Sequence, residues 1–246
     1  MAAGKGSRLG EITKTIPKGM IKLFGKTLIE RQIEIYRDNG IDDITIVTGY
    51  KGETINFPGI NYIKNQDYDS TNINESLFCA REKLSDSVII SYTDIIFEPK
   101  IIKQMIEFSG DIGIAVNIDW EKNYHGRKLH PLSEAENVLI EKEKIIQIRK
   151  NIPKNLSDKK IGEFLGIIKL SKNGCNVLLE KFLELKKNHV GPFHTAKSLK
   201  EAYITDMLQE VIDSVNDVLP VIVEGNWCEI DTPEDLENVK KFKIFN

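Results

Sequence analysis

Gly4 and Gly6 stand two residues apart at the head of the chain, in Met1-Ala-Ala-Gly-Lys-Gly-Ser-Arg-Leu-Gly10. Glycines at that spacing let a backbone turn tightly and bring its N–H groups close to an anion. Ser7 adds a hydroxyl donor, and Arg8 adds a planar cation suited to phosphate oxygens. Lys18 ends Thr15-Ile-Pro-Lys18, a mobile point charge after a proline-shaped turn. A Gly-x-Gly alone fits any ordinary turn. With both cations downstream, the pattern reads as a triphosphate cradle formed by Gly4, Lys5, Gly6, Ser7, Arg8 and Lys18. It is not a P-loop, because no Gly-Lys-Ser/Thr closes it. It is not a dinucleotide fingerprint, because the third glycine falls at Gly10, one residue late.

Two carboxylates extend this chemistry. Asp94 closes the apolar run Ser87-Val-Ile-Ile-Ser-Tyr-Thr-Asp94, and Asp231 closes Trp227-Cys-Glu-Ile-Asp231. Ligands in open α/β sheets bind beyond the carboxyl ends of strands. Acids placed there suit Mg²⁺, a hard cation that takes a few carboxylates plus phosphate oxygens and water. Each aspartate also fits as a helix N-cap, and more so Asp231, which Thr232 and Pro233 follow. The pair, taken with the loop, favours a metal-bridged triphosphate site.

The elements that must position these residues alternate. An amphipathic helix over 27–39, stopped by Gly40, leads to a strand over 41–50. A short strand over 60–64, a helix over 72–84 and the strand over 87–94 follow. Pro99 opens another helix, as suits its first turn, and 111–119 is again a strand. This rhythm predicts an α/β fold with a mainly parallel mixed sheet. After Trp120 it changes: a β-hairpin over 137–150, a polar loop over 151–161, a strand over 162–170, and helices over 172–188 and 196–215. Strands over 219–224 and 228–230 lead to a last helix, capped by Thr232 with Pro233 and two acids in its first turn. The chain divides as one domain: a nucleotide-binding half over 1–119, an acceptor-binding or lid region over 120–215, and return strands with the final helix over 216–246.

Composition narrows the classes. The 246 residues are 41% hydrophobic and 29% charged, as in a globular domain. A net charge of −3 carries no basic footprint for nucleic acid. No apolar run approaches a membrane span. Cys79, Cys175 and Cys228 lie far apart, against a disulfide framework or zinc site, and fit a reducing cytoplasm. His125, His130, His189 and His194 show no metal-ligand spacing.

The Ala-Ala-Gly-x-Gly-Ser-Arg loop with Thr-x-Pro-Lys resembles the nucleotidyltransferase superfamily. Ser-Tyr-Thr-Asp94 before Glu98-Pro, and Trp-x-Glu-Ile-Asp231-Thr-x-Glu-Asp, resemble the cytidylyltransferases acting on phosphocholine and on phosphonates such as 2-aminoethylphosphonate. The resemblance covers nearly the whole chain. It implies a three-layer Rossmann-like, GT-A-like fold with a small hairpin and helical lid. It also implies an apolar first strand just ahead of the loop. This chain starts at the loop, so a truncated or misplaced start is expected, with two neighbouring strands left unpaired.

The implied reaction is an in-line attack of a phosphate or phosphonate oxygen on the α-phosphorus of CTP, with pyrophosphate leaving. Mg²⁺ on Asp94 and Asp231 would bridge the α-phosphate and the attacking oxygen. The loop from Gly4 to Arg8 would hold the β- and γ-phosphates, and Lys18 would meet charge building at the α-phosphate or the acceptor. Ala2, Ala3 and the Gly49-Tyr50-Lys51 turn would read the base. Asn72 and Ser76 are candidates for base or ribose contacts, and Asn72 serves equally well as a helix cap.

The acceptor pocket is expected from Asp119, Trp120, Tyr124, Arg127, Glu163, His194, Lys197, Tyr203 and Asp206. Aromatics with an acid would suit an amine or quaternary ammonium, whereas Arg127, His194 and Lys197 would suit a phosphonate or carboxylate. Each also has an ordinary reading as core or solvated surface. A sugar-1-phosphate nucleotidyltransferase using UTP or dTTP shares every one of the loop, lysine and aspartate features. A glycosyltransferase would need an Asp-x-Asp at a strand's carboxyl end, and Asp94 has no such partner. An inactive nucleotide-binding module would be expected to have lost Arg8, Lys18 or an aspartate. The 120–215 region is a candidate lid or homodimer surface.

Overall fold

Thr27 accepts the amide of Glu30 at 3.1 Å while Glu30 reaches back to the Thr27 amide at 3.2 Å. This reciprocal cap satisfies two otherwise orphaned donors and starts the first long helix. Gly40, with φ of 77°, ends that segment in a conformation that disfavours side chains. The computed structural model describes residues 1–153, 158–215 and 218–241.

In chain order the elements are β1 (Lys22–Leu23), β2 (Lys26–Thr27), α1 (Leu28–Asp38), β3 (Thr45–Thr48), β4 (Asn61–Lys64), α2 (Ile73–Cys79), β5 (Val88–Ser91), β6 (Ile95–Phe97), α3 (Pro99–Glu107), β7 (Ile112–Asn117), β8 (Glu136–Glu141), β9 (Lys144–Lys150), β10 (Lys160–Leu170), α4 (Lys172–Asn188), α5 (Ile204–Val215), β11 (Val218–Ile222), β12 (Trp227–Glu229) and α6 (Pro233–Lys241). The helix expected over 72–84 stops at Cys79, and a short 3-10 turn carries Arg81–Lys83. The helix expected from 196 starts at Ile204, after a 3-10 turn at Leu199–Glu201. Part of the polar loop expected over 151–161, residues 154–157, lies outside the described residues.

The main sheet runs β11-β7-β10-β8-β9, with β5 also on β10. It is mixed, as expected, but richer in antiparallel pairs than the strand–helix alternation implies. β11–β7 and β3–β4 are parallel. The long strand β10 runs antiparallel to β5, β7 and β8 alike. Its first half pairs with β8 and its second half with β5, across a register shift between Phe164 and Ile168. One bent strand thus ties the hairpin to the strands of the amino-terminal half. In the β8–β9 hairpin, Lys142 and Glu143 both take positive φ, the two-residue turn whose twist matches its flanking strands.

The sheet separates two apolar layers. Ile114, Val116 and Ile168 pack with Leu178, Phe182, Met207 and Val211 of α4 and α5. On the other face Ala115 and Ile167 pack with Tyr36 of α1 and with Ile101, Ile102 and Met105 of α3. Five of the six residues of β7 are buried, the near-continuous pattern of a strand covered on both faces.

Between β3 and β5 lies a cavity of about 730 Å³, lined by Thr45, Ile46 and Val47 on one side and Val88–Ser91 on the other. Met1 sits at its mouth, its amino group donating to the Ser91 carbonyl at 2.7 Å. β3 pairs with β4, β5 pairs with β10, and no described strand joins β3 to β5.

Candidate active site

The glycine loop is tied to the end of β3. The Ala2 amide donates to Val47 O at 2.8 Å, and the Tyr50 amide to Ala3 O at 3.0 Å. Gly6 has φ of 62° and leads into a 3-10 segment over Ser7–Thr13. Thr13 closes that turn by donating its hydroxyl to Gly6 O at 2.9 Å. A Cβ at Gly6 would stand 3.0 Å from Lys18 Cβ, so the lysine stem lies directly against the loop.

Asp94 lies just past β5, beside Thr93, whose hydroxyl donates to Met1 O at 2.9 Å. Asp231 lies just past β12, and its amide donates to Asp235 at 3.1 Å. β12 pairs antiparallel with β6, with Glu229 opposite Ile95, and this pairing brings the two aspartates together. Both carboxylates converge on one cation: Lys18 Nζ donates to Asp94 Oδ2 at 2.7 Å and to Asp231 Oδ1. Arg8 Nη2 is 2.7 Å from Asp231 Oδ2. Burial pulls the Lys18 pKa down, but the charges of Asp94 and Asp231 outweigh it and hold the ammonium above its ordinary value. Burial pushes Asp231 up, but His130, Lys18 and Arg8 together hold it well below the usual carboxylate range.

The sequence reading missed His130. It is buried, with Nδ1 3.1 Å from Asp231 and Nε2 3.6 Å from Glu229. The three side chains form a group able to hold a metal ion. No spacing signals His130, because it arrives from the irregular segment after the 3-10 turn Trp120–Tyr124. That segment is pinned to α6: Arg127 pairs with Asp235 at 2.7 Å, and the Lys128 and Leu129 amides donate to Glu234 at 2.7 and 2.9 Å. Glu229 could have been read from sequence. It stands two residues before Asp231, and period-two alternation puts both on one strand face. Tyr92 bears the same relation to Asp94.

These groups line a cavity of about 690 Å³ that runs from the glycine loop to the inner face of β10. Its wall also carries Glu229 beside Asp231, and Glu136, Glu163 and Lys150 among Tyr92, Tyr124, Phe164, Tyr203 and Trp227. Glu163 is 3% exposed and accepts the Tyr124 hydroxyl, while its second oxygen has no partner. Burial pushes Glu163 up to about 8 and Glu136 up to about 7. Burial and the neighbouring Asp231 raise Glu229 well above its ordinary value.

Of the residues expected from sequence, the cavity is lined by Ala2, Ala3, Gly4, Gly6, Ser7, Arg8, Lys18, Asn72, Ser76, Asp94, Tyr124, Glu163, Tyr203 and Asp231. Asn72 spends its side chain on the protein, accepting the Ile73 amide at 2.8 Å and donating to Glu201 O at 3.1 Å. Ser76 accepts from Asn65 at 2.9 Å. The remaining expected residues are not in the lining. Lys5 reaches toward the Tyr68 ring, 5.9 Å from its centroid. Gly49 is packed against Tyr68 and Ala3 O, Tyr50 donates to Thr13 O and Lys14 O, and Lys51 is exposed. Asp119 pairs with Lys122 at the surface. Trp120 is buried with Tyr124 and Ala135, and Arg127 is engaged by Asp235. His194 faces Glu210 at 3.0 Å and Lys197 is exposed. Asp206 is buried, accepting the amides of Thr195 and Tyr203 and the Thr195 hydroxyl.

An α/β sheet whose strand ends bring a glycine loop, a lysine and two carboxylates to one cavity defines a nucleotidyltransferase. The chain belongs to the family described as the MobA-like NTP transferase domain, which matches residues 1–152. It is 30% identical over 252 aligned residues to the CTP:phosphoglutamine cytidylyltransferase of Campylobacter jejuni, covering 96% of each chain. It is 34% identical over 102 residues to the choline-phosphate cytidylyltransferase of Streptococcus pneumoniae, covering 40% of this chain and 44% of that one. Among solved structures, the CTP:phosphocholine cytidylyltransferase from Streptococcus pneumoniae superposes with a TM-score of 0.71 at 22% identity, over 98% of this chain and 95% of that one. The inositol-1-phosphate CTP transferase from T. maritima gives a TM-score of 0.69 at 21% identity, over 98% and 91%. At these identities the structures speak for the fold.

Proposed function

We propose that the protein transfers CMP from CTP to a phosphate or phosphonate oxygen of a small acceptor. One observation carries this reading. Lys18, Arg8, Asp94 and Asp231 converge beside the glycine loop, in a cavity whose wall also carries buried carboxylates and aromatic rings. The full-length likeness to a CTP-using relative supports CTP as the donor.

An acceptor oxygen forms a bond to the α-phosphorus, the bond from that phosphorus to the bridging oxygen breaks, and pyrophosphate leaves with the electron pair. The acceptor is already anionic near neutral pH, so positioning and charge neutralisation do most of the work. Loop amides from Gly4 to Arg8 bind the outer phosphates. Lys18 and Arg8 neutralise charge on the leaving group. The two aspartates suit a divalent cation. Their oxygens are hard donors aimed at a single cation position, and Asp94 Oδ1 is buried without a partner. Mg²⁺ held there would supply Lewis-acid charge stabilisation at the α-phosphate.

Glu163, Glu136 and Glu229, with Tyr92, Tyr124 and Trp227, would receive the acceptor's head group. An ammonium or another strong donor there would compensate carboxylates that the protein leaves poorly matched. Phosphocholine, phosphoglutamine and aminophosphonates all meet this requirement. The free thiols of Cys79, Cys175 and Cys228 suit a reducing cytoplasm. Among the described residues, no helix is long and apolar enough to cross a membrane.

The test is pyrophosphate release with each of the four NTPs against those acceptors, inositol phosphate and hexose 1-phosphates. CTP-specific turnover with one amine-bearing acceptor is expected. Turnover with UTP or dTTP and a sugar phosphate would sink the reading.

A further inference from the structure

We propose that Lys18 is the resident counter-ion of the Asp94–Asp231 pair, so that a divalent cation takes this place only together with a triphosphate, which draws Lys18 away. The proposal rests on the reading that these aspartates are the metal ligands. Lys18 Nζ occupies the point on which both carboxylates converge. A divalent ion cannot share that point with an ammonium, because like charges at contact distance repel strongly in a recessed site.

In the free protein the carboxylates hold the ammonium in place. The Lys18 side chain is 12% exposed, and a buried cation without a partner is costly. Arg8 differs. It is 52% exposed and can turn to water when it leaves Asp231. A triphosphate on the loop would supply the missing anion. The Lys18 stem already lies against Gly6, so a rotation of the side chain would turn Nζ toward phosphates held by the loop. The same lysine would thus keep the two acids neutralised before substrate arrives and release them when it does.

The experiment is Mn²⁺ binding to the nucleotide-free protein, followed by electron paramagnetic resonance and by thermal shift. Lys18→Met is expected to bind Mn²⁺ more tightly than wild type by about tenfold or more, since it removes a contact charge. Wild type is expected to approach that affinity when α,β-methylene-CTP is added. Lys18→Met should melt lower than wild type and recover with Mn²⁺, by mass action on the folded state. Lys18→Gln, which can still donate to the carboxylates, serves if the methionine variant does not fold. Lys150→Met removes the same charge from the cavity wall, at the Glu134 pair, and should leave Mn²⁺ affinity nearly unchanged. Equal Mn²⁺ affinity in wild type and the Lys18 variants would overturn the proposal, as would an equal gain in Lys150→Met. Adding Asp94→Asn to Lys18→Met should abolish the gain. A gain that persists would place the cation elsewhere and remove the metal reading on which the proposal rests.

Discussion

The backbone amide of Ile230 donates to the carbonyl of Asp94 at 2.8 Å. That bond continues the β6–β12 pairing to the ends of both segments and sets the two acids side by side. Their substitutions should differ in kind. Asp94→Asn and Asp231→Asn should each lower the rate of pyrophosphate release by more than about a hundredfold, as expected for groups organising charge at the reacting phosphorus. Asp231→Asn should also lower the melting temperature more, because it strips a partner from Lys18, Arg8 and His130 together. Rates within about threefold of wild type for either variant would remove that aspartate from the site.

Glu163 gives a pH prediction whose sign is fixed by burial. Its folded pKa of about 8 lies above the ordinary carboxylate value of about 4.3. Between those values the folded state holds the extra proton, so stability falls as pH rises through this window and levels off above it. Glu163→Gln stays neutral. It should melt closer to wild type at pH 5, and higher than wild type at pH 8 in the absence of ligand. The same variant should raise the Michaelis constant for an ammonium-bearing acceptor and leave that for CTP unchanged. Parallel melting curves across pH 5 to 8 would show that Glu163 is ionised throughout.

Residue type and period marked the residues that the proposed function assigns to the nucleotide. Gly4, Gly6, Ser7, Arg8, Lys18, Asp94 and Asp231 all fall at loop or strand-end positions that local pattern can mark, and they line one cavity. The rest of the cavity was less legible, because it is assembled by tertiary packing of irregular segments. His130 and Arg127 lie on a stretch whose path is set by its bonds to Glu234 and Asp235, far along the chain. His194 and Asp206 look equally chemical in sequence, but they serve the turn around Thr195 and the face of α5. The pairing of β10 was hidden for a related reason: nothing local says that one long strand will serve three partners.

Arg127 separates a positioning role from an acceptor contact. Its guanidinium pairs with Asp235 at 2.7 Å, and Asp235 in turn accepts the amides of Asp231 and Thr232 at 3.1 and 2.8 Å. Both partners are buried, so Arg127→Ala should cost about 3–5 kcal/mol by leaving an uncompensated charge. It should lower kcat through the backbone of Asp231 while leaving the acceptor Michaelis constant near wild type. Asp235→Asn combined with Arg127→Gln should recover part of the stability. A variant that folds as well as wild type but loses acceptor affinity tenfold or more would mean that Arg127 touches the acceptor.

Gly166 lies in the irregular stretch of β10, with φ of 74°, and its carbonyl accepts the Tyr92 amide at 2.9 Å. A Cβ there would stand 2.6 Å from the Tyr92 ring. Gly166→Ala therefore meets two penalties: a left-handed backbone that an alanine adopts at a cost, and a ring that must move. The expected loss is about 1–3 kcal/mol. Tyr92 lines the cavity two residues before Asp94, beside the residues proposed to receive the acceptor, so its displacement is expected to act on acceptor binding. The acceptor Michaelis constant should rise several-fold, and the CTP constant should hold. Unchanged melting and unchanged acceptor binding would show that β10 absorbs the methyl group and that Tyr92 is not fixed by this glycine.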